Sequence, residues 1–238
     1  MKKSPLSLRT LKFQKSFLPH AEGSCLASMG LTKVLCVASV EGKVPPHAEE
    51  KQTGWIHGEY AMLPRAGISR SSRNKVTGGG RVQEISRFIG RALRATVDLK
   101  VLYPFTITID CDVIRADGGT RTASVNGGFI ALAQAVGSMI KKGQISGWPI
   151  KNFVGAVSTG ICRGKMVLDM CYEEDKDAEV DLNLVMDDAG KIVEIQGTAE
   201  NDPFSTIQLD QMIKAGARGI RQIISTQRKV LGPLAHAR

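Results

Sequence analysis

Several residue types are scarce in this sequence, and their scarcity limits the kinds of protein it can be. The five cysteines in 238 residues are scattered and include no C-x-x-C pair, so neither a disulfide framework nor a zinc site is indicated. The four histidines share no metal-ligand spacing either. Aromatic residues make up 5% of the chain, too few for a base-stacking platform. No stretch approaches the roughly 20 apolar residues of a membrane-spanning helix, so we expect no membrane partner.

Positive charge, by contrast, is in excess. The chain has 32 Lys and Arg against 23 Asp and Glu, a net charge of +9, which favours a polyanionic partner such as nucleic acid. Hydrophobic residues at 42% and charged residues at 23% are typical of a soluble globular protein. Residues 1–21 carry five cations and no acid, a composition that also fits a transit peptide, but they lack the apolar segment of a secretory signal.

Hydrophobic periodicity predicts an irregular order of strands and helices. We predict strands over residues 32–40, 54–62, 106–113, 153–159, 165–172, 180–186 and 191–196. Helices are predicted from Arg81, from the segment after Gly119 to about Gly143, and from Ser205, where Gln208 completes a capping-box pattern. Polar loops are predicted at 42–53 and 65–80. This order indicates an α+β fold with mixed or antiparallel sheets.

The segment Asp117-Gly-Gly-Thr-Arg-Thr122 lies between a predicted strand and a predicted helix. A glycine pair lets backbone N–H groups converge, the helix N-terminus adds positive potential, and Thr120 and Arg121 supply further donors. Together these groups would form a phosphate-binding turn. A tight turn with an N-cap threonine is the alternative.

An acidic run, Glu173-Glu-Asp-Lys-Asp-Ala-Glu-Val-Asp181, follows a predicted strand. Residues 172–187 contain seven acids and one lysine, a net charge of −6. Carboxylates this close repel one another, and Mg²⁺, which takes one or two carboxylates plus waters and substrate oxygens, would offset that repulsion. A solvated acidic turn is the alternative.

A basic segment precedes the first predicted helix. Arg65, Arg70 and Arg73 lie in a loop rich in serine and glycine, and Arg81 follows three glycines. Cations spaced along a loop suit contacts to a phosphate backbone. Surface solubility is the alternative.

These features occur within longer motifs that resemble the ribonuclease PH family of phosphate-dependent 3′-to-5′ exoribonucleases. The resemblance runs from about Leu8 to Leu231, which makes a transit peptide less favoured. The motifs are His20-Ala-Glu-Gly-Ser24, Gly54-Trp-Ile56, Glu59-Tyr-Ala-Met-Leu-Pro-Arg65, Gly79-Gly-Arg81, Ile89-Gly-Arg-Ala-Leu-Arg94, Asp110-Cys-Asp-Val-Ile-Arg-Ala-Asp-Gly-Gly-Thr-Arg-Thr-Ala-Ser124, Tyr172-Glu-Glu-Asp175 and Glu194-Ile-Gln-Gly-Thr-Ala-Glu200.

The resemblance implies a fold and an assembly. We expect one ribonuclease PH-type α+β domain over residues 1–238, a duplicated β-α-β unit like that of ribosomal proteins, with an atypical N-terminal arm (1–7) and a C-terminal tail (232–238). The expected assembly is a homohexameric ring, a trimer of dimers, in the cytoplasm. Arg87, Arg91 and Arg94 would meet a neighbouring subunit or be solvated.

The resemblance also implies a reaction and its residues. The family trims the 3′ ends of tRNA precursors and other structured RNA, transferring terminal nucleotides reversibly to inorganic phosphate. Arg81, Gly119, Thr120 and Arg121 would bind that phosphate. Asp175 and Asp181 would be catalytic and hold Mg²⁺, and Arg65, Arg70 and Arg73 would contact RNA.

The chain departs from the family pattern near this site. Arg115 replaces a usual glutamine, Lys176 a common serine, and Asp177 a small residue, and the usual Arg-x-Asp-Gly-Arg arm is absent. We expect activity to survive these changes. The alternatives to an active phosphorolytic enzyme are a catalytically silent RNA-binding ring subunit and a hydrolytic Mg²⁺ nuclease, and the presence of Asp175, Asp181, Arg81 and Arg121 together argues against the silent subunit.

Overall fold

Two β-sheets contain the nine strands that the computed structural model, which describes residues 3–236, assigns to the chain. The first sheet has the order β1-β2-β3-β5-β4, and only β4 and β5 run parallel. The second sheet has the order β7-β6-β8-β9 and is antiparallel throughout. The strands are β1 Leu11–Lys15, β2 Gly23–Met29, β3 Thr32–Glu41, β4 Trp55–Met62, β5 Thr106–Arg115, β6 Val154–Cys162, β7 Lys165–Leu168, β8 Ala178–Asp187 and β9 Ile192–Ala199.

Helices pack on both sheets and join them. Helix α4 packs against β2, β3 and β5 of the first sheet and against β6 of the second, α3 packs on β4, and α6 packs on β6, β8 and β1. One hydrophobic core extends from the first sheet through α4 into the second sheet. The helices are α1 Pro46–Glu49, α2 Arg73–Thr77, α3 Gly80–Arg94, α4 Thr120–Lys141, α5 Tyr172–Lys176, α6 Thr206–Leu231 and a 3₁₀ turn at Gly232–His236.

The prediction of an α+β fold with mixed and antiparallel sheets is confirmed. The predicted capping box is present as well: Ser205 Oγ accepts from the Gln208 N–H at 3.2 Å, and the Gln208 side chain accepts from the Ser205 N–H at 2.7 Å. Helix α6 therefore begins where its sequence predicts.

Helix α4 corrects one expectation from the sequence. It is the one described helix, within residues 3–236, that is long and apolar enough to cross a membrane, with 22 residues and a mean hydropathy of 1.3 over its most apolar window. The expectation that no stretch approaches such a composition is wrong. Because 78% of that window is buried inside the protein, the helix matches the core helix of a folded domain.

Several segments differ from their predicted state. Strands β1 and β2 were not predicted, and β1 lies within the segment whose composition fitted a transit peptide. The two predicted loops contain the short helices α1 and α2. The acidic run forms helix α5 before it enters β8, and the strand predicted over 165–172 ends at Leu168.

Two of the three arginines expected to meet a neighbouring subunit or to be solvated make contacts within the chain. Arg91 donates through Nε to Glu194 of β9 at 3.0 Å. Arg94 donates to the Ile56 carbonyl at 2.6 Å and lies 4.3 Å from the centre of the Trp55 ring. Helix α3 is therefore tied to both sheets, whereas Arg87 is exposed.

Candidate active site

A cavity of about 460 Å³ opens where the ends of β4 and β5, the start of α4, and the elements α5 and β8 meet. It collects residues that lie up to 138 positions apart in the chain, from Met62 to Glu200. All the residues predicted to bind phosphate or metal line it: Arg81, Gly119, Thr120, Arg121, Asp175 and Asp181. The structure thus brings together the candidate phosphate-binding groups and the candidate carboxylates.

The candidate phosphate-binding turn depends on two consecutive glycines with left-handed backbones. Gly118 has φ +70° and Gly119 has φ +64°, a conformation that L-residues adopt only at an energetic cost. A Cβ on Gly118 would also lie 2.5 Å from the Met170 carbonyl oxygen. The turn leads directly into the N-terminus of α4, where Thr120 shares a 2.9 Å hydrogen bond with the Tyr60 hydroxyl.

The side chain of Arg9 anchors this turn. Its buried guanidinium donates to the carbonyl oxygens of Asp117 and Gly118 and forms an ion pair with the fully buried Asp169 at 2.6 Å. The backbone N–H of Arg9 donates to the same carboxylate at 2.8 Å. Because Asp169 follows β7 of the second sheet, Arg9 fixes the turn relative to that sheet.

The two arginines of the cavity are held differently. Arg121 donates through Nη1 to Glu84 at 3.0 Å and to the Gln196 side-chain oxygen at 2.8 Å. Arg81 is exposed at the start of α3 and forms no salt bridge with any described residue. A phosphate entering the cavity would therefore meet one free guanidinium and one that already has a carboxylate partner.

The two candidate carboxylates reach the cavity from separate elements. Asp175 lies on α5, whose first residue, Tyr172, donates its N–H to Asp117 at 3.3 Å. Asp181 lies on β8 beside Asn183, whose amide donates to both Asp181 oxygens at 3.3 and 3.4 Å. Burial raises the pKa of Asp181 to about 6, and the charge of Asp175 adds to this rise. Burial also raises the pKa of Asp175, against the attraction of Arg81 and Arg121.

The donor set fits Mg²⁺. No group of three or more His, Cys, Asp or Glu side chains suited to a metal is found in residues 3–236. Mg²⁺ does not require one, since it usually binds one or two carboxylates and takes its other ligands from water and substrate phosphates. Asp175 and Asp181 meet that requirement, because both carboxylates line the cavity beside the candidate phosphate-binding turn and the charge of Asp175 raises the pKa of Asp181.

The arginines predicted to contact RNA do not line the cavity. The loop that contains Arg65 and Arg70 forms one wall through Gly67, Ser69 and Ser71, but its arginines project elsewhere. Arg65 donates to the Gly67 carbonyl at 3.1 Å and to the Ile68 carbonyl, so its guanidinium holds the loop. Arg70 and Arg73 are exposed.

Several residues of the site were missed from the sequence. Arg9 and Asp169 pair across 160 positions, and Glu84 and Gln196 reach Arg121 from α3 and β9. The only signal for them was their presence within the part of the chain that resembles the family, and that signal carries no information about pairing.

A fold of one mixed and one antiparallel sheet, whose shared cavity combines hydrogen-bond donors for phosphate with carboxylates, is suited to chemistry on phosphate esters. The chain belongs to the 3′ exoribonuclease family. The family model for domain 1 matches residues 7–136, and the model for domain 2 matches residues 152–219.

Solved structures share the fold at low sequence identity. Rice (Oryza sativa) Rrp46 has a TM-score of 0.78 and 19% identity, over 96% of this chain and 98% of that one. A chain of the Archaeoglobus fulgidus exosome with RNA bound to the active site has a TM-score of 0.80 and 18% identity, over 94% and 90%. A chain of an archaeal exosome core has a TM-score of 0.75 and 18% identity, over 96% and 89%.

Proposed function

We propose that the protein is a phosphorolytic 3′-to-5′ exoribonuclease, with inorganic phosphate as the nucleophile. The observation that carries the proposal is the one cavity that unites a left-handed glycine turn, two arginines and the carboxylates of Asp175 and Asp181. Such a site can hold an anionic nucleophile next to an anionic phosphodiester, because its cations offset the repulsion between them.

In the proposed reaction a phosphate oxygen attacks the phosphorus of the terminal phosphodiester. The bond from that phosphorus to the 3′ oxygen breaks, the RNA keeps the 3′ oxygen as a hydroxyl, and the product is a nucleoside 5′-diphosphate. Gly119, Thr120, Arg121 and Arg81 bind and orient the attacking phosphate. Asp175 and Asp181 would hold Mg²⁺, which would stabilise negative charge on the reacting oxygens.

We further propose that the substrates are the 3′ ends of tRNA precursors and other structured RNA, in the cytoplasm, and that the protein assembles as a homohexamer, a trimer of dimers. The family membership supports a 3′-end substrate. Similarity to chains described as exosome components supports a ring, which could equally contain other subunits.

A product assay tests the reaction. The protein is incubated with a tRNA carrying extra 3′ nucleotides and Mg²⁺, with phosphate or in a phosphate-free buffer, and the released mononucleotides are separated by charge. Diphosphates that appear only with phosphate support the proposal. Monophosphates released without phosphate would instead identify a hydrolytic nuclease.

A catalytically silent RNA-binding ring subunit is the second candidate. The pairing of Arg121 with Glu84 favours it, because a carboxylate competes with phosphate for that guanidinium. In the same assay, RNA binding without release of nucleotides in either buffer would identify the silent subunit.

A further inference from the structure

A second, open depression adjoins the candidate active site. It is lined by Lys33, Arg65, Ile68, Ile114 and Arg115, among others, and it contains no acidic residue. It shares Gly67 and Ile68 with the active-site cavity, so the two form a continuous surface on either side of one loop. The N–H of Ala116 donates to the Ala66 carbonyl at 2.9 Å and joins this loop to the end of β5.

A β-bulge aligns two cations in this depression. Lys33 pairs with Arg115 and Val34 pairs with Val113, so Ile114 is left over on β5. Such bulges redirect side chains near the ends of strands. Lys33 and Arg115 are exposed and form no salt bridge or side-chain hydrogen bond with the residues at positions 3–236. Like charges directly opposite each other across two strands destabilise the pairing unless an anion lies between them.

Two apolar side chains lie beside these cations. Ile114 is 38% exposed and Ile68 is 74% exposed, which is unusual for isoleucine. Cations next to an exposed apolar surface suit a nucleotide, whose phosphate takes the charges and whose base covers the apolar groups. A free phosphate ion would leave Ile68 and Ile114 exposed to solvent. The depression is also too open to enclose such an ion.

We propose that this depression binds the RNA strand on the 5′ side of the terminal nucleotides, with Lys33 and Arg115 on a backbone phosphate and Ile68 and Ile114 against a base. The inference rests on the proposed function, because it gives the path of the same RNA that ends in the active-site cavity. The inference also assigns to Lys33 and Arg115 part of the RNA binding that was predicted for Arg65, because the Arg65 guanidinium already donates to carbonyl groups of its own loop.

Binding of labelled RNA measured by fluorescence anisotropy tests the inference. The wild type and the double variant K33Q/R115Q are titrated with a decanucleotide and a dinucleotide, at several salt concentrations, with EDTA and without phosphate so that no turnover occurs. The matched control is K51Q/K100Q. Both control lysines are exposed and lie near the starts of β4 and β5, about 30 Å from Arg115 along the ten-residue β5, well beyond the screening length.

Each phosphate contact to single-stranded nucleic acid contributes about 0.7 to the slope with which the logarithm of the binding constant falls against the logarithm of the salt concentration. At 0.1 M salt, relative to 1 M, one contact is therefore worth about fivefold in affinity. K33Q/R115Q should therefore bind the decanucleotide about 5- to 25-fold more weakly with a shallower slope, and bind the dinucleotide as the wild type does. An unchanged decanucleotide affinity, an equal loss for the dinucleotide, or an equal loss in K51Q/K100Q would overturn the inference. If the wild type bound no RNA, the proposed function itself would fail.

The thermal midpoint of each variant without RNA shows whether it is folded. Because K33Q/R115Q removes a like-charge pair, its midpoint should equal or exceed that of the wild type. A lower midpoint would mean that the two cations have a structural role, and it would contradict the inference.

Discussion

Asp181→Asn should stabilise the protein in the absence of divalent metal. Burial raises the pKa of Asp181 from 3.8 to about 6, so its ionisation in the folded state is unfavourable by at most about 3 kcal/mol at neutral pH. Asparagine removes the charge and keeps an oxygen for the Asn183 amide. We expect a gain of about 1–3 kcal/mol in the free energy of unfolding at pH 7.5, together with loss of turnover.

The sign of the pH dependence follows from the direction of the pKa shift. Between pH 3.8 and about 6 the folded protein holds a proton on Asp181 that the unfolded chain releases, so the wild type loses stability as the pH rises through this window. Above about pH 6 the wild type has lost this contribution to its stability completely. Below pH 3.8 the Asp181 carboxyl is neutral in the folded and the unfolded state, so it has no effect on stability. The advantage of Asp181→Asn should therefore be full above about pH 6 and vanish near pH 4.

Chemical denaturation in EDTA at fixed protein concentration measures this effect, with Asp202→Asn, a change at an exposed carboxylate, as the control. Adding MgCl₂ should stabilise the wild type, since a ligand that binds only the folded state shifts the equilibrium toward it, and should not stabilise Asp181→Asn. If Asp181→Asn were no more stable than the wild type at pH 7.5, or if its gain were the same at pH 4, the reasoning from burial would be refuted.

Three further substitutions test the surroundings of the candidate phosphate-binding turn. Glu84→Gln removes the carboxylate that competes with phosphate for the Arg121 guanidinium, so the KM for phosphate should fall about two- to fivefold. A higher KM would show that Glu84 instead positions this guanidinium. Arg9→Met leaves the buried Asp169 carboxylate unpaired and should lower the free energy of unfolding by about 3–5 kcal/mol in urea denaturation. A loss below about 1 kcal/mol would contradict a stabilising role for the Arg9–Asp169 ion pair. Gly119→Ala should be less stable than Gly143→Ala, because both have a left-handed backbone and only Gly119 lies against Arg9; equal melting temperatures would disprove the close contact.

The strands that the sequence predicted have the clearest local patterns. β3 and β5 combine β-branched residues with alternating burial, and both were predicted to within two residues at either end. β2 was missed because Gly23-Ser-Cys-Leu-Ala-Ser-Met29 has no β-branched residue, and β1 because only Phe13 is buried in it. These two strands form because β3 and α4 offer them a sheet edge and a packing surface.

The α+β class, the excess of cations, the acidic run and a glycine turn before the second predicted helix could all be predicted from the sequence, because periodicity, charge and the need for glycine act over neighbouring residues. Which charged side chains have a partner, by contrast, depends on tertiary contacts. Arg91 and Glu194 pair across 103 positions, and Arg121 and Gln196 across 75, so these guanidinium groups have partners that no local pattern shows. The pKa of Asp181 likewise depends on its burial and on the nearby charge of Asp175. Both conditions arise only when the second sheet has folded and closed the cavity.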